Sequence, residues 1–201
     1  GFARTRVWAR TAVHTDDNGS VVEHELTGPT PSPPFPHAFR AILRTRFAAR
    51  FQTSLTIANT GTSPFSYEAA LHTYLRVGDV GRIRIDGLEE VAYRDKTAEG
   101  ATFLQQGPIV PSAETDRVYL SPGPVVVVDP VLERTVTVTT TGSAETVVWN
   151  PWSTGSARLP DVGPDEWRTF ICVEGANVLG SAIHLDPGTS HTMEYALAVS
   201  G

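Results

Sequence analysis

From Phe39 to Phe47 one set of side chains, Phe39, Ala41, Leu43, Thr45 and Phe47, is mostly apolar, while Arg40, Arg44 and Arg46 share the intervening positions with Ile42. Side chains of an extended chain point to opposite faces in turn, so this period of two predicts a half-buried β-strand. Phe51-Gln52-Thr53-Ser54-Leu55-Thr56-Ile57 repeats the pattern after a short Ala48-Ala49 connection, and Asn59-Thr60-Gly61 supplies turn residues at its end. The two segments read as a hairpin. Alternation recurs at Arg82–Asp86, Thr135–Thr139 and Met193–Val199, and the apolar run Val125–Val128 stops at the breaker pair Asp129-Pro130. The 22 valines and 24 threonines among 201 residues favour pleated strands, and 17 glycines and 15 prolines punctuate them. Helix is expected to be scarce, and the fold is expected to be all-β, an antiparallel sandwich.

With 40% hydrophobic residues the chain has enough apolar material to build a core, and residues 1–201 are expected to form a single domain. The segment Gly28–Pro36 carries five prolines, but strand patterns continue on both sides of it, so it reads as a loop within that domain. The formal charge of -6 repels a polyphosphate backbone, which argues against a nucleic-acid partner. The single cysteine, Cys172, closes no intramolecular disulfide and excludes a four-cysteine zinc site, so a reducing cytoplasmic setting is expected. No run of 18 apolar residues suggests a membrane span, and a soluble chain is expected. The sequence opens on Gly1 and its one methionine is Met193, so an upstream segment is expected to precede position 1.

Few residues offer chemistry. The six histidines, at 14, 24, 37, 72, 184 and 191, include no pair at a metal-ligand spacing such as His-Glu-x-x-His, so metal catalysis is not expected. Neither a Gly-rich nucleotide loop nor a nucleophile elbow is present, and Thr154-Gly155-Ser156-Ala157 imitates the elbow too loosely to count. Cys172, inside Phe170-Ile171-Cys172-Val173, reads as a small buried hydrophobe. His72 lies between Leu71 and Tyr74, ahead of a Val77-Gly78-Asp79 turn, and from the residues alone reads first as a structural imidazole and second as a proton donor. Glu174 ends the apolar strand Thr169–Val173, and a carboxylate there is costly unless it is paired or used.

Five ordered strings carry a resemblance: Phe35-Pro36-His37-Ala38-Phe39, Ala70-Leu71-His72-Thr73-Tyr74-Leu75-Arg76-Val77-Gly78-Asp79, Thr115-Asp116-Arg117-Val118-Tyr119, Val148-Trp149-Asn150-Pro151-Trp152 and Phe170-Ile171-Cys172-Val173-Glu174. In this order they resemble the hexose-6-phosphate mutarotases, or glucose-6-phosphate 1-epimerases, of the aldose 1-epimerase, galactose mutarotase-like superfamily. Gly1-Phe2-Ala3-Arg4 likewise resembles the end of that family's His-Gly-Phe-Ala-Arg motif. The likeness covers residues 1 to about 199. Family segments of Arg-Gly-Gly and Trp-Pro-Trp-Phe-Gly type have no counterpart here. The resemblance therefore implies an antiparallel β-supersandwich of the galactose mutarotase-like kind that lacks its N-terminal strands, the C-terminal major part of the fold.

The same resemblance implies an activity, the interconversion of the α and β anomers of a hexose 6-phosphate by ring opening and reclosure. It casts Glu174 as the base at the C1 hydroxyl and His72 as the acid at the ring oxygen, with Asp116 holding sugar hydroxyls and Arg4 holding the phosphate. No cofactor and no metal enter. From the residues alone, Asp116 reads equally as a turn residue paired with Arg117, Arg4 as one of 15 arginines on a solvated face, and Trp149 and Trp152 as packing rather than a sugar platform. The partner implied is a hexose or hexose phosphate, taken by a monomer, or by chains paired at open sheet edges if strands are missing. Two other readings stand beside this one: a carbohydrate-binding or catalytically silent homologue, and a lyase or glycosidase using Glu174 with a second carboxylate.

Overall fold

The predicted hairpin is present: strands Phe39–Phe47 and Phe51–Asn59 pair antiparallel in continuous register, from Phe39 opposite Asn59 to Phe47 opposite Phe51. The turn chemistry expected at the end of the second strand also holds, since the Asn59 side chain accepts a hydrogen bond from the Gly61 amide at 2.9 Å while its amide group donates to the carbonyls of Ser63 and Leu185. The alternation overstates burial at one end. Phe39 and Ala41 are buried, but Phe47 is 52% exposed and meets Phe51 edge-on. The cause is the position of the core, which gathers Leu26, Phe39, Ala41, Phe65 and Leu185 beside the start of the strand and not its end.

The computed structural model describes residues 1–31 and 34–201, in two compact units. The first comprises Gly1–Ala69 and Asn177–Ala196. Its sheet runs in the order Ala9–Asp16, Gly19–Thr27, Phe39–Phe47, Phe51–Asn59, then Ser190–Ser200. Sequence patterning missed the first two strands because Ala9–Asp16 is exposed along its whole length and Gly19–Thr27 is half-buried along nearly all of its own, so neither has two unlike faces that alternation could mark. Gly19 leaves the Asp17-Asn18 turn between them at φ +126°, a backbone state that an L side chain rarely takes. Phe2 and Phe35 stack at 5.4 Å over this core. Within the segment Gly28–Pro36, expected as a loop, Thr30–Pro31 pairs with Pro34–Phe35, and Ser32-Pro33 lie outside the described residues.

The second unit comprises Ala70–Ala176 and Leu197–Gly201. One of its sheets runs Ala101–Leu104, Ala92–Asp95, Thr115–Tyr119, Glu145–Asn150, then Phe170–Asn177, with Tyr74–Arg76 also paired to Phe170–Asn177. The other strands are Arg84–Asp86, Val125–Asp129 and Arg134–Thr141, neighbours in that order and each antiparallel to the next. Three expected strands are therefore found with boundaries shifted by a few residues: Arg84–Asp86 inside Arg82–Asp86, Arg134–Thr141 around Thr135–Thr139, and Ser190–Ser200 around Met193–Val199. Val125, Val127, Val136 and Val138 are buried from alternate positions of their strands, the pattern of a sheet covered on one face. Among the described residues the sole α-helix is the short Trp152–Ser156, as the composition suggests.

One expectation is corrected here. Glu174 does not end its strand, which continues to Asn177, and all residues from Ile171 to Asn177 are buried. A strand covered on both faces shows no period of two, and Gly175 interrupts the apolar run, so the sequence hides its second half. Gly175 is needed at that point: a Cβ would come within 2.8 Å of both Ser143 Oγ and Thr140 Cγ2.

Candidate active site

The site grows from the register of the strand Phe170–Asn177. Cys172 lies opposite Trp149 and Glu174 opposite Val147 on one neighbour, so Cys172 and Glu174, two positions apart, present their side chains to the same face. On the other neighbour Cys172 lies opposite Tyr74. This register brings the segment just before Tyr74 alongside, and the Leu71 amide donates to the Gly175 carbonyl at 3.0 Å to fasten it. His72 consequently meets Glu174, with Nε2 3.5 Å from Oε1. About a hundred residues of intervening chain separate them, a non-local pairing of the kind sheets make.

The two groups have unlike surroundings. His72 is 49% exposed at its side chain and Glu174 only 4%. The imidazole stacks on Tyr74 at 5.0 Å and meets the edge of Trp149 at 5.5 Å, while Trp149 stacks on Phe170. This aromatic packing holds the ring over the carboxylate. Burial pushes the Glu174 carboxyl up from 4.5 to about 7, with the Lys96 ammonium pulling it down and the Asp116 carboxylate pushing it up. A carboxyl poised near neutrality beside a half-exposed imidazole can take a proton from a hydroxyl while the imidazole gives one to a second oxygen.

Asp116 is not a turn residue and does not pair with Arg117. It lies in the strand Thr115–Tyr119, opposite Trp149, and its Oδ1 is 3.1 Å from Lys96 Nζ, an ionic contact without the alignment of a hydrogen bond. Arg117 faces Asp95 instead, at 3.3 Å, and lies over the Tyr93 ring. Neighbouring residues on a strand point to opposite faces, which is why the adjacent Asp116 and Arg117 find different partners.

Lys96 is the residue that sequence reading passed over. It begins a 3₁₀ turn, Lys96–Ala98, that is capped by Asp95 accepting from the Thr97 amide. One signal pointed to it: it is the only lysine among 16 basic residues. Trp152 meets Trp167 with ring centroids 4.6 Å apart. Arg4 lies exposed in the 3₁₀ turn Ala3–Thr5 of the first unit.

His72, Cys172 and Glu174 also stand as a potential ligand set, since one donor atom from each lies within 4.8 Å of the others. Cys172 is fully buried, and burial, reinforced by the Glu174 charge, pushes its thiol up far from thiolate character. That suits the small-hydrophobe expectation and leaves the free side chain unreactive as a nucleophile. Among the described residues no helix is long and apolar enough to cross a membrane.

Comparison with known proteins gives a consistent result. The family model described as aldose 1-epimerase matches residues 1–198. A protein of Cenchrus ciliaris named as a candidate glucose-6-phosphate 1-epimerase is 38% identical over 170 residues, covering 82% of this chain and 51% of that one. A likewise named protein of Escherichia coli K12 is 32% identical over 179 residues, 88% of this chain and 59% of its own length. The chain thus spans between half and three fifths of these curated relatives. Among solved structures, a candidate mutarotase of Salmonella typhimurium superposes with a TM-score of 0.90 at 28% identity, over 100% of this chain and 67% of that one. A galactose mutarotase-like protein of Clostridium acetobutylicum, at 13% identity and a TM-score of 0.78, shares the fold.

Proposed function

The chain belongs to the aldose 1-epimerase family, and from that membership together with the His72 and Glu174 pair we propose that it interconverts the α and β anomers of a hexose 6-phosphate. The observation that carries this reading is the buried Glu174 carboxyl, raised to about 7 and set 3.5 Å from the half-exposed His72 imidazole. Anomer exchange needs one base and one acid acting together. Ionised Glu174 takes the proton of the C1 hydroxyl as protonated His72 delivers one to the ring oxygen, the C1–O5 bond breaks, and an open-chain aldehyde results. Rotation about C1–C2 presents the other face of the carbonyl. Reclosure runs the transfers backward: His72 takes the proton from the O5 hydroxyl and Glu174 returns one to the C1 oxygen, so both groups are restored. No electrons change hands and no group is transferred, so the reaction requires no redox or group-carrying cofactor.

In this reading Asp116 holds sugar hydroxyls and Lys96 fixes its carboxylate, while Arg4 reads the phosphate. The phosphorylated substrate is supported by the names of the relatives from Cenchrus ciliaris and Escherichia coli. Residues 1–201 are read with it as one domain of the galactose mutarotase-like kind, working in the cytoplasm. Polarimetry on freshly dissolved glucose 6-phosphate, with magnetisation exchange between anomer signals as a second readout, tests the proposal. Glu174→Gln is expected to lower the exchange rate by roughly 100-fold or more, the usual worth of a positioned base. Undiminished exchange in that variant overturns the assignment, and sugar binding without exchange in the unaltered chain replaces catalysis with carriage. Arg4→Ala should weaken glucose 6-phosphate by roughly 1.5–3 kcal/mol and leave glucose nearly unaffected; equal losses for both sugars would remove Arg4 from phosphate recognition.

A further inference from the structure

We propose that His72, Cys172 and Glu174 form a binding site for a thiophilic divalent cation of the zinc type, which switches the mutarotase off by occupying its acid and its base at once. The site itself stands on geometry alone, whereas the inhibition rests on the function proposed above.

The donor atoms of the three residues lie within 4.8 Å of one another. Metal bonds of 2.0–2.3 Å at a tetrahedral angle place neighbouring donors roughly 3.3–3.6 Å apart. His72 Nε2 and Glu174 Oε1, at 3.5 Å, already meet that spacing, and the Cys172 sulfur, within 4.8 Å of both, needs to close by no more than about 1.5 Å to complete the triangle. The arrangement is held by backbone. Cys172 and Glu174 share a face of one strand, Tyr74 lies opposite Cys172, and the Leu71 amide is bonded to the Gly175 carbonyl on either side of the His72 and Glu174 contact. One nitrogen, one sulfur and one oxygen donor suit zinc, cobalt or cadmium and not magnesium or calcium, which want oxygen alone. Three protein ligands leave a fourth position for water, and the half-exposed imidazole gives the ion its way in.

Charge and protons balance. The cation displaces the thiol proton, which leaves to solvent, and the dication is neutralised by one thiolate and one carboxylate in a buried place where a net charge is costly. The Nε2 lone pair and the Glu174 oxygen then hold the metal and neither can exchange a proton with the sugar. Lys96 and Asp116 stand beyond the ligands as an ion pair of opposite charges, which adds no net charge opposing the cation.

Cysteine usage makes the test unambiguous, because Cys172 is the only thiol in the sequence. The reduced protein is titrated with cobalt(II) under nitrogen, and a near-ultraviolet thiolate-to-cobalt charge-transfer band is followed together with the visible bands of tetrahedral cobalt. One equivalent should produce both, and zinc should abolish both by displacement. Cys172→Ser should lose the charge-transfer band. His72→Gln, altered at a half-exposed position and so independent of any folding defect in the buried serine variant, should bind cobalt at least tenfold more weakly. Zinc should inhibit anomer exchange in the unaltered protein, and in Cys172→Ser the inhibition constant, taken against that variant's own metal-free rate, should rise at least tenfold. Absence of the charge-transfer band in the unaltered protein, or wild-type cobalt affinity in His72→Gln, overturns the site. A clear band in a protein that exchanges no anomers upholds the site and overturns the mutarotase reading instead.

Discussion

Replacing Glu174 by glutamine should make the protein more stable as well as slower, and by an amount that depends on pH. In the folded chain the carboxyl is raised from 4.5 to about 7, chiefly because burial penalises the charged form. At about 1.4 kcal/mol for each pH unit, that rise means the folded state disfavours the ionised carboxylate by about 3 kcal/mol relative to the unfolded chain. A group with a raised folded-state value stabilises most when protonated in both states, so its contribution is complete below pH 4.5 and fades as pH climbs toward and past 7. Glutamine has nearly the same shape and no charge to bury. The stability advantage of Glu174→Gln over the unaltered protein should therefore grow by about 3 kcal/mol between pH 4.5 and pH 8, whatever constant offset the amide adds through altered hydrogen bonding. Urea midpoints for both proteins at half-unit pH intervals give the difference directly, provided the slopes agree. A difference that is flat, or that shrinks as pH rises, would refute the claim that Glu174 is held in a desolvating site.

Catalysis should show the same titration from the other side: the acid limb of the exchange rate should reach its half-rise near pH 7 as Glu174 ionises, and a rate already at its maximum at pH 5 would contradict this. Lys96→Met removes the positive charge that favours ionised Glu174 and should move that rise to higher pH, with Lys96→Arg restoring it. Asp116→Asn removes the opposing charge and should move the rise to lower pH, while raising KM by about tenfold, roughly 1.4 kcal/mol, through a lost sugar contact. Gly175→Ala pushes a methyl against Ser143 and Thr140 and should lower stability by about 1–3 kcal/mol, read as a fall in Tm.

Much of the molecule was already legible one residue at a time. A half-buried strand writes its two faces into the sequence, so Phe39–Phe47 and its hairpin partner from Phe51 onward are found, and the valines of Val125–Asp129 announce a strand. Local patterning fails at both extremes of burial, the exposed Ala9–Asp16 and the fully covered end of Phe170–Asn177, because neither has two unlike faces to contrast. Motif likeness supplied His72, Glu174, Asp116 and Arg4 and the chemistry to expect of them.

What the tertiary structure alone decided is which groups touch. Only strand register brings Cys172 opposite both Trp149 and Tyr74, and with it sets His72 against Glu174 and Lys96 beside Asp116. The carboxyl near 7 is likewise a property of place, since the glutamate side chain is the same in every sequence and the neighbours that withdraw its water come from strands far along the chain. Identity is carried by the residue; proximity and dielectric are carried by the fold.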